Sequence, residues 1–193
     1  MKISMRLFTW SCISGLLSYL SVSLPHLLST WFNLSDDAFF ILPGLFFGAF
    51  VLAPRVKNAN HRALRCVGLL ILSVVAWYVA VTVGFQVLPL VHQLAMLSCG
   101  ISGSIGVLLL IAVSRYLVPL SISISSILTA LLVGFIGGGI IGMALVQPRT
   151  SVASEFLYFI GFLFWHCGVA ASLFGEARTT GNNRPRHKTA LIA

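Results

Sequence analysis

The sequence predicts an all-α integral membrane protein, a compact bundle of six transmembrane helices with the N-terminus and the C-terminus in the cytoplasm. Three observations predict it. Of the 193 residues, 58% are hydrophobic and 8% charged, the apolar residues form six runs, and the basic residues lie almost entirely on one side of those runs. A soluble domain carries about a quarter charged residues. The length is sufficient for six spans of about 20 residues joined by short loops.

The apolar runs give the order of the predicted helices. They cover residues 7–32, 38–54, 66–88, 93–113, 122–146 and 155–175. The first run is interrupted by Pro25, and cleavage as a signal peptide after 21–23 is an alternative that its length disfavours. Residues 1–175 therefore form a single predicted transmembrane domain. The basic tail, residues 176–193, is polar and contains Gly181 and Pro185, so we expect disorder there.

The distribution of basic residues sets the predicted orientation. When six spans are drawn, eleven of the twelve Lys and Arg residues fall on one side, and Arg149 alone lies on the other. An excess of Lys and Arg marks cytoplasmic loops. The net charge of +8 then reflects basic cytoplasmic loops that face anionic lipid. We therefore expect the lipid bilayer as partner and no nucleic acid, with the bacterial inner (cytoplasmic) membrane as the location.

Small residues recur every four positions on the fifth predicted helix, and a GxxxG pair lies on the second. The helix-packing residues of these two patterns are Ser126, Ala130, Gly134, Gly138 and Gly142, with Gly44 and Gly48. Small side chains let helix backbones approach closely in a bilayer. The pattern predicts tight packing against another helix of this chain or against a second membrane subunit, which includes a homo-oligomer.

Charged side chains are missing from the centre of every predicted span. This argues against ion-coupled pumps and metal enzymes that use buried carboxylates. His166 is the one central ionisable residue. The cysteines, Cys12, Cys66, Cys99 and Cys167, form no CxxC pair and are predicted to be buried free thiols. We expect no metal and no cofactor.

One motif suggests an enzyme. Gly100-Ile101-Ser102-Gly103 on the fourth predicted helix reads GxSG, and His166 lies on the sixth. This arrangement resembles the rhomboid intramembrane proteases, and the resemblance implies Ser102 as nucleophile and His166 as its base. Ser102 precedes Arg115 by 13 residues and His166 precedes Arg178 by 12, so the two lie at similar depths. The second helix lacks the HxxxN motif that the family uses for the oxyanion.

Three classes of function remain open. We expect a non-enzymatic membrane protein, either a subunit of a membrane complex or a small-solute permease, packed through the glycine-lined fifth helix. The first alternative is the rhomboid-like serine protease. The second is an outward-facing small-molecule binding module. Its candidate residues lie near the predicted outer face: His26, Trp31, Asp36, Asp37, His92 and Glu155.

Overall fold

A computed structural model of the chain describes residues 4–23, 36–56, 61–87, 94–117, 122–147 and 151–174. Almost all of these residues are helical, and no strand occurs among them. The all-α prediction is therefore confirmed. The predicted tail at 176–193 lies outside the described residues, as does the interruption at Pro25.

Six α-helices account for the described part of the chain. They are α1 (Met5–Ser23), α2 (Asp36–Phe47), α3 (Arg62–Val87), α4 (Ala95–Leu117), α5 (Ile124–Leu145) and α6 (Val152–Phe174). The helix α2 contains Pro43 and continues into a π-helical turn, Gly48–Leu52, and a short 3-10 turn, Ala53–Arg55. Ser123 begins α5 as its N-cap, because its hydroxyl accepts a hydrogen bond from the Ser126 amide at 3.1 Å.

Within the described residues, four helices are long and apolar enough to cross a membrane: α3, α4, α5 and α6. The sequence predicted six such spans, and α1 and α2 do not meet this standard. The reason for α1 is composition, since five of its 19 residues are serines. The reason for α2 is length, since the apolar helical run that includes its described side chains and the following turns extends only over Ile41–Arg55. Length and composition therefore establish four candidate spans within the described residues.

The six helices form a closed ring. Each helix packs mainly against its neighbours in sequence, and α6 packs against α1. The contacts between α1 and α6 show that these two helices are antiparallel, because Cys12 meets Cys167 whereas Tyr19 meets Glu155. The first and last helices thus close the ring, with the start of α1 beside the end of α6.

Arginines gather at one end of this ring. The Arg55 guanidinium lies 4.8 Å from the centroid of the Phe174 ring at the end of α6. Arg65 Nη1 donates to the Leu117 carbonyl at the end of α4, at 3.3 Å. All the arginines within the described ranges belong to this end: Arg6, Arg55, Arg62, Arg65 and Arg115. The opposite end carries Glu155.

The outer surface is apolar, and much of the interior is lined by small or polar side chains. Large hydrophobic residues such as Ile71, Leu128 and Leu132 are more than half exposed. Ser14 and His166, by contrast, have no exposed surface. A soluble protein does not expose apolar surface on this scale. Together with the four apolar helices, this surface indicates a membrane protein.

Candidate functional site at the centre of the helix ring

The glycines of α5 pack against α4. A Cβ atom added at Gly138 would overlap the Cys99 carbonyl oxygen, and one added at Gly142 would lie 2.5 Å from the Ala95 carbonyl oxygen. Gly134 meets Gly103 and Val107 in the same groove. Ser126 and Ala130 are also buried on this helix. The glycine-lined face of α5 is therefore occupied by a neighbouring helix of the same chain.

The GxxxG pair of α2 packs against α3 in a similar way. An added Cβ would lie 2.7 Å from the Ser73 carbonyl oxygen at Gly44 and 3.0 Å from the Ser73 Cβ at Gly48. The Ser73 hydroxyl donates to the Gly44 carbonyl at 2.8 Å. This hydrogen bond joins α3 to α2 at the residue after Pro43.

His166 lies outside the glycine groove, at the interface between α1 and α6. Its Nδ1 atom is 2.8 Å from the Ser14 hydroxyl. Ser14 belongs to a buried face of α1 made almost entirely of small residues: Ser11, Ser14, Gly15, Ser18 and Ser21. The missing bulk brings α6 close, since an added Cβ at Gly15 would lie 3.1 Å from the Leu163 Cα. The small face of α1 thus places a hydroxyl directly beside the histidine.

Aromatic rings surround the histidine, and we call this group the central aromatic cluster. Its members come from α2, α3 and α6: Phe47, Trp77, Phe162, Trp165 and His166. The Trp165 ring centroid lies 5.3 Å from that of His166, 5.3 Å from that of Phe47 and 5.4 Å from that of Trp77. Trp77 and Trp165 therefore meet across the middle of the ring and fill it with aromatic side chains.

Three nitrogen atoms of this cluster have no hydrogen-bond partner within the described part of the chain: Trp77 Nε1, Trp165 Nε1 and His166 Nε2. Two serine hydroxyls share this condition, Ser23 and Ser114, and both lie near helix ends. A buried polar group left unpaired costs about 1–3 kcal/mol. Such groups are uncommon in folded proteins unless water or a ligand completes them. Their concentration in one cluster identifies the candidate site.

Ser102 and His166 do not form a hydrogen bond. The Ser102 hydroxyl donates to the Ser98 carbonyl of its own helix at 2.9 Å, and the Ser98 hydroxyl donates to the Gly84 carbonyl of α3 at 3.2 Å. His166 is instead bonded to Ser14. The glycines of the GxSG motif act in packing, since Gly100 lies against Phe135 and Gly103 against Gly134.

Most residues of the outward-facing alternative lie outside the described part of the chain. His26, Trp31 and His92 lie outside the described residues, and the side chains of Asp36 and Asp37 do as well. Glu155 is the remaining member, and its Oε2 accepts a hydrogen bond from the Tyr19 hydroxyl at 3.0 Å. This contact joins α1 to α6 at the end of the ring opposite the arginines.

The sequence pattern missed Ser14, Trp77 and Trp165. The serines of α1 carried a usable signal, because residues 11, 14, 18 and 21 are spaced three and four apart and therefore share one helix face. The tryptophans carried a second signal, since Trp77 and Trp165 lie well inside their helices, whereas membrane aromatic belts lie at the ends. Comparison with known proteins adds nothing to this site, because no family model, curated protein or solved structure matches the chain.

Proposed function

We propose that the chain spans a bacterial cytoplasmic membrane six times, with both termini in the cytoplasm. Closure of the ring supports counting α1 and α2 as spans, because each packs along a neighbour that is itself long enough to cross. The serines of α1 face the interior, so they do not expose hydroxyls to lipid. The arginines at one end support the orientation, since cytoplasmic ends are enriched in Arg and Lys.

Cysteine labelling in intact cells tests this orientation. His61→Cys lies between α2 and α3 on the proposed cytoplasmic side, and Gln147→Cys lies just after α5 on the other side. A membrane-impermeant maleimide should label Gln147→Cys in intact cells and His61→Cys only after lysis, each measured against the parent chain. Labelling of His61→Cys in intact cells would show that the orientation is reversed.

The activity that the geometry supports best is passage of a small uncharged polar solute, as in a small-solute permease. The observation that carries it is the set of three unpaired ring nitrogens in the central aromatic cluster. They lie on α3 and α6, which meet across the closed ring through Trp77 and Trp165. Because aromatic side chains fill the middle of the ring, passage requires these rings to move apart and expose the nitrogens to the solute. Water and small polar molecules complete groups of this kind in protein interiors.

The chemistry of the cluster points to a neutral solute of the amide class, such as urea. Indole N–H groups only donate, so Trp77 and Trp165 call for an acceptor such as a carbonyl oxygen. When the proton is on Nδ1, His166 donates to Ser14 and leaves Nε2 as an acceptor for an amide N–H. No carboxylate or cation belongs to the cluster, so an ion would stay uncompensated there.

The same geometry gives less support to the other classes. The glycine face of α5 is covered by α4, so a partner subunit has no access to it in the folded chain. The Ser102 hydroxyl is bonded within its own helix and has no base beside it. We therefore expect no labelling of Ser102 by a fluorophosphonate probe. Labelling that Ser102→Ala abolishes would instead favour the protease.

Solute flux in proteoliposomes tests the permease. Vesicles that contain the protein should recover their volume after a hyperosmotic urea pulse faster than protein-free vesicles, as followed by stopped-flow light scattering. His166→Phe keeps a ring in place but removes both nitrogens, so it should slow the recovery. Phe164→Ala is the matched control, because Phe164 is 39% exposed on the same helix. Equal rates with folded protein and with empty vesicles would exclude urea passage.

A further inference from the structure

Two of the four cysteines meet where the first helix contacts the last. Cys12 Sγ on α1 lies 3.4 Å from Cys167 Sγ on α6, although 155 positions separate them in sequence. Both are free and partly buried. Because a disulfide bond is about 2.05 Å long, the sulfur atoms need to approach by only roughly 1.4 Å.

The neighbouring contacts hold these two thiols opposite each other. The hydrogen bond between Ser14 and His166 lies two residues along α1 and one residue along α6 from the cysteine pair. Further along the same interface, Gly15 allows the backbone of α6 to approach closely. The sulfur atoms therefore meet at a closely packed contact between α1 and α6.

The other two cysteines are placed differently. Cys66 Sγ donates to the Ala53 carbonyl at 3.8 Å. Cys99 lies in the groove between α4 and α5, where its carbonyl meets Gly138 and its Cβ meets Gly142. Neither has a sulfur partner within the described residues, so the pairing of thiols is specific to Cys12 and Cys167.

We propose that Cys12 and Cys167 form a reversible modification site, at which an uncharged, lipid-soluble disulfide oxidises the two thiols to an intramolecular disulfide. One thiol loses its proton and attacks a sulfur of the oxidant, which gives a mixed disulfide and releases one thiol of the oxidant. The second cysteine then loses its proton and attacks the mixed disulfide. The Cys12–Cys167 bond forms and the second thiol of the oxidant leaves. The two cysteines lose two electrons and two protons, and the oxidant gains both.

The bond would fix the closure of the ring. The interface between α1 and α6 is the one that no short loop supports, because it joins the two ends of the helical order. A covalent bond there ties α1 to α6 beside the hydrogen bond that orients His166. The reduced protein keeps this interface non-covalent. The site therefore provides a way to switch the ring between a closed and a separable form.

The test uses the full chain in detergent with 2,2′-dithiodipyridine as the oxidant. The Cys66→Ala/Cys99→Ala variant retains only the paired cysteines. We expect it to lose both free thiols, to become lighter by two hydrogen atoms, and to give one linked pair of peptides that contain Cys12 and Cys167. Its melting temperature should rise by at least roughly 4 °C and return after reduction.

Single variants separate this reaction from random oxidation. Cys12→Ser leaves Cys167 without a partner, so the product should keep one pyridyl adduct, and Cys167→Ser should do the same at Cys12. The wild type provides a second measurement, because it should give the same linked pair of Cys12 and Cys167 peptides without any disulfide-linked dimer, and pyridyl adducts should remain only on Cys66 and Cys99. Persistent adducts on both cysteines of the paired variant, a linked dimer or no reaction in the folded chain would each overturn the proposal.

Discussion

The interface between α4 and α5 and the interface between α1 and α6 are both close-packed, but they are built differently. Glycines bring α4 and α5 together backbone to backbone, and few polar side chains join them. Small residues also bring α1 and α6 together, but there they admit a histidine, a pair of thiols and a tyrosine–glutamate contact. Small residues thus allow close approach at both interfaces. The side chains opposite them determine whether polar groups and thiols also meet there.

The largest expected loss of stability is at the filled centre of the ring, and it should exceed the loss at the surface. Trp165→Ala should lower the free energy of unfolding by about 3–5 kcal/mol, because it empties the middle of the central aromatic cluster. Phe164→Ala, one position away and partly exposed, should cost less than about 1 kcal/mol. Unfolding titrations in mixed micelles measure both. Equal costs would mean that the cluster is not the packed centre of the fold.

The second largest loss of stability is expected at the glycine interface between α4 and α5. Gly138→Ala places a methyl group against the Cys99 carbonyl oxygen and should cost up to about 3 kcal/mol. Gly139→Ala is the matched control. Its Cβ would lie 3.2 Å from Met96 Cγ and 3.3 Å from the Met96 carbonyl oxygen, a milder contact than the overlap at Gly138, and alanine favours the helix by about 1 kcal/mol over glycine. The same unfolding titration should therefore show Gly139→Ala close to the wild type. A neutral Gly138→Ala would argue against backbone contact between α4 and α5.

A smaller effect distinguishes a hydroxyl that joins two helices from one that bonds its own helix. Ser14→Ala removes the partner of His166 Nδ1 and should cost about 1–2 kcal/mol. The Ser18 hydroxyl donates to the Ser14 carbonyl within α1, so Ser18→Ala should cost less than about 0.5 kcal/mol. Nitrogen NMR of labelled histidine should also report a change at His166 for Ser14→Ala alone. The same shift in both variants would contradict the proposed hydrogen bond.

The smallest effect concerns the end of the α1–α6 interface. Tyr19→Phe removes the hydrogen bond to Glu155 but keeps the edge contact with Phe159, so we expect a loss of about 0.6 kcal/mol. Tyr116→Phe serves as the control, because Tyr116 is 88% exposed. Thermal unfolding followed by size-exclusion chromatography compares the two. If Tyr116→Phe costs as much as Tyr19→Phe, the contact with Glu155 contributes nothing to stability.

The pattern of residues anticipated the packing better than the site. Gly134, Gly138 and Gly142 signal close approach because spacing by four places residues on one face of any helix. The same spacing leaves open which helix lies opposite, and the structure places α4 there. The sequence also predicted that Ser102 and His166 lie at similar depths, but depth alone does not show that two residues are in contact. Two residues at one height still face different neighbours, because rotation of each helix about its axis is set by packing.

The sequence by itself determined that the chain is helical and apolar enough for a membrane protein, and that small residues line α5. It predicted six spans, of which four are long and apolar enough to cross a membrane within the described residues. These properties depend on composition and on local periodicity. Only the tertiary structure decided that α6 closes on α1, that Cys12 meets Cys167, and that Ser14 rather than Ser102 bonds His166. Those pairings join residues about 150 positions apart, and they follow from how six helices rotate and pack together, which no local pattern encodes.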